Sequence, residues 1–181
     1  MKVAETKLAG VKIVEPDVFR DKRGFFTESY NAQKLKAHGI DHTFVQDNHS
    51  LSTEAGVLRG LHYQLYPKAQ TKLVRVLAGA IYDVVVDLRR SSPTYGEWFG
   101  TVLSESNQRQ LLVPQGFAHG FCTLTDNAQV FYKVDSYYAP ECERGIIWND
   151  PTLAIDWPTG DPILSDRDAR FPLFQDAEAN F

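Results

Sequence analysis

The sequence predicts an all-β protein in which many short strands and one short helix form a sandwich or barrel. Three observations point to this class. Most segments alternate in polarity or are rich in β-branched and aromatic residues. Turn residues separate these segments at short intervals, and only one segment carries helix-capping residues at both ends. With 181 residues, 43% of them hydrophobic, the chain is long enough to bury one sizeable core.

The first part of the chain is expected to supply short strands, a hairpin and the helix. Lys12-Ile13-Val14 is a strand candidate that ends before Pro16. Asp21-Lys22-Arg23-Gly24 lies between two apolar runs and is typical of a hairpin turn. The segment from Asn31 to Gly39 is the best helix candidate, because its first residue is a good cap and its last favours a helix end.

The middle of the chain is expected to form the body of the barrel. Its strand candidates are residues 43–49, 57–66, 71–78, 80–89, 97–104, 110–113, 118–125 and 128–138. From Ala139 onward, five prolines and several acidic residues predict an irregular segment that wraps around the barrel. We therefore expect a single domain, residues 1–181, with N-terminal strands to about residue 50, a barrel over 51–138 and a wrap over 139–181.

Composition and charge exclude some classes of function. The formal net charge of −4 argues against a nucleic-acid surface, although a few arginines in one pocket could still bind a small anion. Cys122 and Cys142 form no CxxC motif, which is typical of reduced thiols in a cytoplasmic protein. The N-terminal residues lack the apolar core of a signal peptide, and no apolar run is long enough for a membrane span. We expect a cytoplasmic protein without a membrane partner.

The most informative segment is Arg59-Gly60-Leu61-His62-Tyr63-Gln64, which joins a fixed cation to a titratable imidazole. On a regular strand, His62 and Gln64 share one face, and Arg59 lies on the other. A bulge would bring Arg59 to the same pocket as His62, and the pattern leaves this question open.

A second histidine segment, Pro114-Gln115-Gly116-Phe117-Ala118-His119, matches half of the cupin pattern, which is carried by a small jelly-roll barrel. Gly56 and His62 fit the other half, but Gln64 stands in place of its second histidine, and the expected glutamate is missing. Because a divalent metal site normally needs at least three such ligands, we predict a cupin-type jelly roll without a metal.

Longer runs across the chain resemble the dTDP-4-dehydrorhamnose 3,5-epimerase family. The matching runs lie within about residues 20 to 168 and comprise 20–28, 46–50, 56–64, 83–89, 114–121 and 145–151. The resemblance implies an isomerase that inverts C3 and C5 of dTDP-4-dehydro-6-deoxy-D-glucose to give dTDP-4-dehydro-L-rhamnose for dTDP-L-rhamnose synthesis. It also implies that the reaction proceeds through an enolate and needs no cofactor.

The resemblance assigns four catalytic residues. His62 matches the base and Asp168 the carboxylate that pairs with it. Lys72 matches the cation beside the sugar C4 oxygen, and Tyr132 the proton donor on the opposite side. Taken alone, the same residues are more often a core histidine, a solvated lysine and a packed aromatic side chain.

Substrate-binding residues follow from the same resemblance. Arg23 and Arg59 match phosphate or nucleotide contacts, and Arg167 stands where the family commonly has lysine. His119 matches a contact to the sugar, and Tyr138 an aromatic that stacks on thymine. The remaining polar contacts to the nucleotide are assigned to Glu28, Gln46, Asp47, Asn48 and Glu143.

The family is homodimeric, so Arg23 and Glu28 are expected to act in the neighbouring subunit's site. Three alternatives stay open at this point. One is an epimerase that inverts a single carbon, or a ketoisomerase on the same barrel. The others are a metal-dependent cupin oxygenase, which the missing ligands disfavour, and a non-catalytic module that binds nucleotide sugars.

Overall fold

The architecture consists of short strands in three antiparallel sheets, as a computed structural model of residues 1–181 describes it. The thirteen strands are β1 (Lys2–Glu5), β2 (Lys12–Glu15), β3 (Val18–Asp21), β4 (Gly24–Thr27), β5 (Gln46–Ser52), β6 (Leu58–Gln64), β7 (Lys72–Ala78), β8 (Ala80–Asp87), β9 (Trp98–Ser104), β10 (Gln110–Val113), β11 (Phe117–Thr123), β12 (Ala128–Val134) and β13 (Glu143–Gly145). The helices are α1 (Ala32–Ala37) and three 3₁₀ turns, Pro140–Cys142, Asp168–Arg170 and Phe174–Asp176. None of these helices has the length and apolar character that a membrane crossing needs.

Two larger sheets form the body of the protein. The six-stranded sheet has the order β1-β2-β10-β7-β12-β5, and the five-stranded sheet has the order β13-β6-β11-β8-β9. Strands β3 and β4 form a separate hairpin. The all-β prediction is therefore confirmed.

The core has two main parts, because the five-stranded sheet is covered on both faces. One cluster includes Val74 and Val130 from one sheet and Val85 and Phe121 from the other, so it lies between the sheets. A second cluster joins Leu61 and further residues of the five-stranded sheet to the C-terminal segment. Alternate residues of β6, β8 and β11 can therefore be buried on either face.

The local predictions in the N-terminal part agree well with the structure. The side-chain oxygen of Asn31 accepts a hydrogen bond from the Lys34 backbone N–H at 3.0 Å, and Gly39 follows the helix with a φ of +77°. In the hairpin, Asp21 pairs with Gly24, as the turn motif predicts. These features depend on neighbours in sequence, so local chemistry was enough to find them.

Several strand limits differ from the predictions, because pairing with distant strands sets them. The strand expected over 43–49 lies at Gln46–Ser52, where it pairs with β12. The strand expected over 128–138 ends at Val134. Strands β1 and β13 were not predicted, and β13 consists of three residues defined by their pairing with β6. Apart from β13 and the three 3₁₀ turns, the tail from Ala139 is irregular, as expected.

Candidate active site

A polar cavity opens between the two large sheets. It has two adjoining parts, of about 110 Å³ and about 220 Å³. Both parts are lined by Asn48, His62, Lys72, Tyr132 and Glu143. The six-stranded sheet supplies the asparagine, lysine and tyrosine, whereas the five-stranded sheet supplies the histidine and glutamate. Side chains from opposite sheets therefore approach the same space.

His62, which is partly exposed, pairs with the buried Asp168 from the C-terminal segment. The His62 Nε2 atom lies 2.9 Å from Oδ1 of the carboxylate, whose Oδ2 accepts a hydrogen bond from the Gly60 backbone N–H at 3.2 Å. The ring of Phe171 contacts the imidazole edge to face, with centroids 5.5 Å apart. These contacts orient the ring so that Nδ1 is free of protein hydrogen bonds.

The carboxylate of Asp168 is held in its ionised form. Burial raises the pKa of Asp168, but the hydrogen bond and charge of His62, together with the Gly60 N–H, outweigh burial and lower the pKa overall. Only 4% of this side chain is exposed, compared with 24% of the His62 side chain. The arrangement places an anion behind an imidazole that reaches the cavity.

A bulge in β6 decides where Arg59 lies. His62 pairs with His119, but Arg59 pairs with Phe121, so an extra residue of β6 is accommodated between the two pairs. Arg59 and His62 consequently line the same cavity, whereas Leu61 packs in the cluster beneath the C-terminal segment. The question that strand alternation left open is thus answered in favour of the bulge.

Gly60 makes this bulge possible. Its φ of +132° is rarely adopted by other residues, and an added Cβ would lie 2.5 Å from Cα of Gly120 on β11. The two backbones can approach this closely only because both positions are glycine.

Lys72 and Tyr132 reach the cavity from the six-stranded sheet. Burial lowers the pKa of Lys72 to about 8, although the negative charges of Asp83 and Glu143 act in the opposite direction. Burial also raises the pKa of Tyr132, and the charge of Glu143 adds to this effect. Near neutral pH, these directions leave a protonated phenol and a largely charged lysine facing His62.

A second histidine–aspartate pair lies beside the first. His119 Nε2 is 2.9 Å and 3.1 Å from the two carboxylate oxygens of Asp83, which is completely buried. Because His119 pairs directly with His62 on the neighbouring strand, both rings project from the same face of the sheet.

The mouth of the cavity is formed by a chain of polar contacts. Oε2 of Glu143 accepts hydrogen bonds from the Tyr138 hydroxyl at 2.8 Å and from Arg167 at 2.7 Å. The Tyr138 backbone N–H donates to Gln46 at 3.1 Å. Although its backbone is tied down, Tyr138 remains 53% exposed and presents an aromatic surface at the entrance.

Apart from Asp168, which lies behind His62, three predicted site residues do not line this cavity. Asp47 lies between Gln46 and Asn48 but points to the opposite face of β5, where it pairs with Lys133 at 2.9 Å. Glu28 forms an exposed ion pair with Lys34. Arg23 lies in the hairpin turn, where it pairs with Asp21 and is 83% exposed. Strand alternation explains the first case. The other two lie in or directly after the β3–β4 hairpin, which is separate from the two large sheets.

Sequence reasoning missed Asp83, Gln64 and Gln70 as site residues. Asp83 could have been noticed as an acidic residue within the apolar strand Ile81–Leu88. Gln64 and Gln70 line the smaller part of the cavity, and the Gln64 amide also bonds Lys68 O and Ala139 N–H. No group of three or more His, Cys, Asp or Glu side chains is placed to hold a metal ion.

Comparison with known proteins places this chain in a family. Residues 5–176 match the family model described as dTDP-4-dehydrorhamnose 3,5-epimerase. A relative of that name from Shigella flexneri is 53% identical over 179 residues, covering 98% of this chain and 98% of the relative.

Solved structures agree over nearly the whole fold. The dTDP-4-dehydrorhamnose 3,5-epimerase of Bacillus anthracis, with TDP and PPi bound, is 59% identical with a TM-score of 0.94, covering 95% of this chain and 98% of that one. The 3,5-epimerase of Legionella pneumophila, in complex with dTDP-4-keto-L-rhamnose, is 49% identical with a TM-score of 0.90, covering 95% and 92%. The shared fold confirms the cupin-type jelly roll. By sequence and by structure, the chain belongs to the dTDP-4-dehydrorhamnose 3,5-epimerase family, a family of isomerases.

Proposed function

We propose that this protein converts dTDP-4-dehydro-6-deoxy-D-glucose into dTDP-4-dehydro-L-rhamnose, a step of dTDP-L-rhamnose synthesis. One observation carries the proposal: His62, which lies on one sheet and pairs with Asp168 from the C-terminal segment, shares a cavity with Tyr132 and Lys72 from the other sheet. Removing a proton from one face of a carbon and returning one to the other face requires groups on two sides.

The chemistry follows from the keto group of the substrate. Hydrogens on C3 and C5 are acidic because the neighbouring C4 ketone can take up the charge as an enolate. Nδ1 of His62 removes the proton, and Asp168 stabilises the imidazolium that results. The Lys72 cation lies near the developing C4 oxyanion, and the Tyr132 hydroxyl returns a proton from the opposite side.

The rest of the substrate occupies the arginine-rich part of the cavity and its mouth. Arg59 and Arg167 line this region and offer several N–H donors to the diphosphate. Tyr138 is exposed at the mouth and stacks on the thymine. The other polar contacts come from the Gln46, Asn48, His119 and Glu143 side chains. Neither a metal ion nor a nicotinamide takes part in this scheme.

The working unit in this proposal is a homodimer whose hairpin completes the neighbour's site. Three phenylalanines of β3 and β4, namely Phe19, Phe25 and Phe26, are 64%, 52% and 70% exposed. An apolar surface of this kind marks a contact with another protein. A second copy would bury these rings and would carry Arg23 and Glu28 toward the neighbour's cavity. We place the reaction in the cytoplasm, where Cys122 and Cys142 stay reduced.

Proton exchange in heavy water tests the reaction directly. The protein is incubated with dTDP-4-dehydro-6-deoxy-D-glucose in heavy water, and NMR follows deuterium at C3 and C5. We expect label at both carbons, with activity unchanged after exhaustive chelation. Label at a single carbon would instead support a single-carbon epimerase. Binding without any exchange would support a non-catalytic module, and loss of activity on chelation would support a metal-dependent enzyme.

A further inference from the structure

Asp83 is a completely buried carboxylate to which none of the residue roles assigned so far applies. It lies on β8 on the face that points between the sheets, and both of its hydrogen bonds go to Nε2 of His119. A buried carboxylate destabilises the fold unless it is paired. The charge of Asp83 is therefore expected to act on groups that line the neighbouring cavity.

The two histidine–aspartate pairs have the same polarity. In each pair, Nε2 faces the carboxylate, and Nδ1 has no hydrogen bond within the protein. Since His62 and His119 are directly opposite on β6 and β11, both Nδ1 atoms are available to a molecule in the cavity. Asp83 therefore orients His119 in the same way that Asp168 orients His62.

Asp83 also lies near Lys72, because its partner His119 and Lys72 line the same part of the cavity. Among the charges that favour the cationic form of this buried lysine, the largest contribution comes from Asp83, followed by Glu143. Asp83 lies on β8 behind His119. The titratable and charged groups that line the cavity with Lys72 are His49 on β5, Arg59, His62 and Tyr63 on β6, His119 on β11, Tyr132 on β12, Glu143 on β13, and Tyr138 and Arg167. Within this set only Glu143 is a carboxylate.

We propose that Asp83 is a positioning residue: it aims the His119 ring at the sugar and supplies the counter-charge for Lys72 beside the C4 oxygen. This inference rests on the proposed epimerase function and adds a residue that acts through two others. With the Asp83 carboxylate behind it, the His119 ring turns Nδ1 toward the cavity as an acceptor for a sugar hydroxyl, while Lys72 offers positive charge to the C4 oxyanion. The fold thus prepares the site before the enolate forms.

The alkaline limb of the pH–rate profile tests this role. The parent should lose activity as pH rises past about 8, because Lys72 then loses its proton. In Asp83→Asn the charge that raises the Lys72 pKa is gone, so the limb should move to lower pH by about half a unit or more. We also expect kcat to fall about 10-fold or more, because an amide can hold His119 in the wrong tautomer.

Asp87→Asn is the matched control. Asp87 is also completely buried on β8, but its carboxylate bonds Arg89, Ser92 and Thr94 outside the cavity. This variant should unfold at a lower temperature while its alkaline limb stays where the parent has it. A limb that is unchanged in Asp83→Asn, or that moves equally in both variants, would overturn the proposal.

A second measurement needs no change at Asp83. In ¹⁵N-labelled parent protein, with the His119 ring assigned from a His119→Gln spectrum, the proposal predicts a proton on Nε2 at pH 7. A His119 ring protonated only on Nδ1 would overturn it. A parent that exchanges no protons in heavy water would contradict the proposed function, whereas an active parent with an unaltered Asp83→Asn limb would contradict the role of Asp83 alone.

Discussion

At the scale of single residues, His62 and Tyr132 have environments that favour opposite proton-transfer roles. The imidazole is backed by an ionised carboxylate at 2.9 Å, which stabilises the ring after it has taken a proton. The phenol is buried near Glu143, which raises its pKa and keeps its proton in place until a strong base forms nearby. In the proposed mechanism, the enolate carbon is that base.

Replacing the proposed base should stop hydrogen exchange. In His62→Asn we expect exchange at both carbons to fall by about 10²- to 10⁴-fold, with the fold retained. NMR in heavy water measures the exchange, and circular dichroism measures the fold. The control is His42→Asn. His42 does not line the cavity, and its Nδ1 lies 3.3 Å from Oδ2 of Asp135. Parent-like exchange in the His62 variant would refute the base assignment.

Replacing the proposed acid should affect turnover more than binding. In Tyr132→Phe we expect kcat to fall about 10²-fold or more with little change in KM, because the hydroxyl acts mainly in proton return. Steady-state kinetics separates the two constants. Tyr30→Phe serves as the control, since the Tyr30 ring packs against Phe44 outside the cavity. If only KM rises in Tyr132→Phe, the donor role is wrong.

At the scale of elements, the bulge in strand β6 brings together the residues proposed for binding and for chemistry. The extra residue brings Arg59 to the same side as His62 while Leu58 and Leu61 remain in the core beneath the C-terminal segment. Arg59 is three positions before His62, so on a regular strand the two side chains would lie on opposite faces.

Gly60→Ala tests the requirement for a glycine at this bulge. The new Cβ would meet Gly120 Cα at 2.5 Å and His119 O at 2.9 Å. We expect the free energy of unfolding to fall by about 2–5 kcal/mol from backbone strain and crowding together. Urea unfolding followed by fluorescence gives this value.

The control for that experiment is Gly24→Ala. Gly24 has a similar φ of +130°, but nothing lies within 4 Å of its added Cβ. Gly24→Ala should lower the free energy of unfolding by about 1–3 kcal/mol, from backbone strain alone. Equal losses of stability in the two variants would show that crowding at the bulge is unimportant.

At the scale of the whole molecule, the hairpin of β3 and β4 is the feature that a single chain leaves unexplained. Its phenylalanines are exposed, it pairs with no other strand, and Arg23 does not line the cavity that it is expected to serve. A two-stranded hairpin on its own has little stability, so contact with a second copy of the chain would stabilise it.

Complementation between two defective variants tests this assembly. Arg23→Ala should lower kcat/KM by about 10-fold or more through loss of a phosphate contact, and His62→Asn should be inactive. If Arg23 acts in trans, an isolated heterodimer of the two has one intact site and about half of the parent activity per dimer. Differently tagged chains allow the heterodimer to be purified and assayed. Activity no higher than that of the Arg23→Ala homodimer would place Arg23 in its own chain's site.

The sequence alone determined the strand-rich class, the helix cap at Asn31, the hairpin turn and the two histidine segments, because each depends on neighbouring residues. Only the tertiary structure decided that Arg59 joins His62, that Asp47 turns away from the cavity, and that Asp83 supports His119. Each of these outcomes depends on how strands far apart in the chain pair. A single extra residue in one strand reverses which side chains face inward.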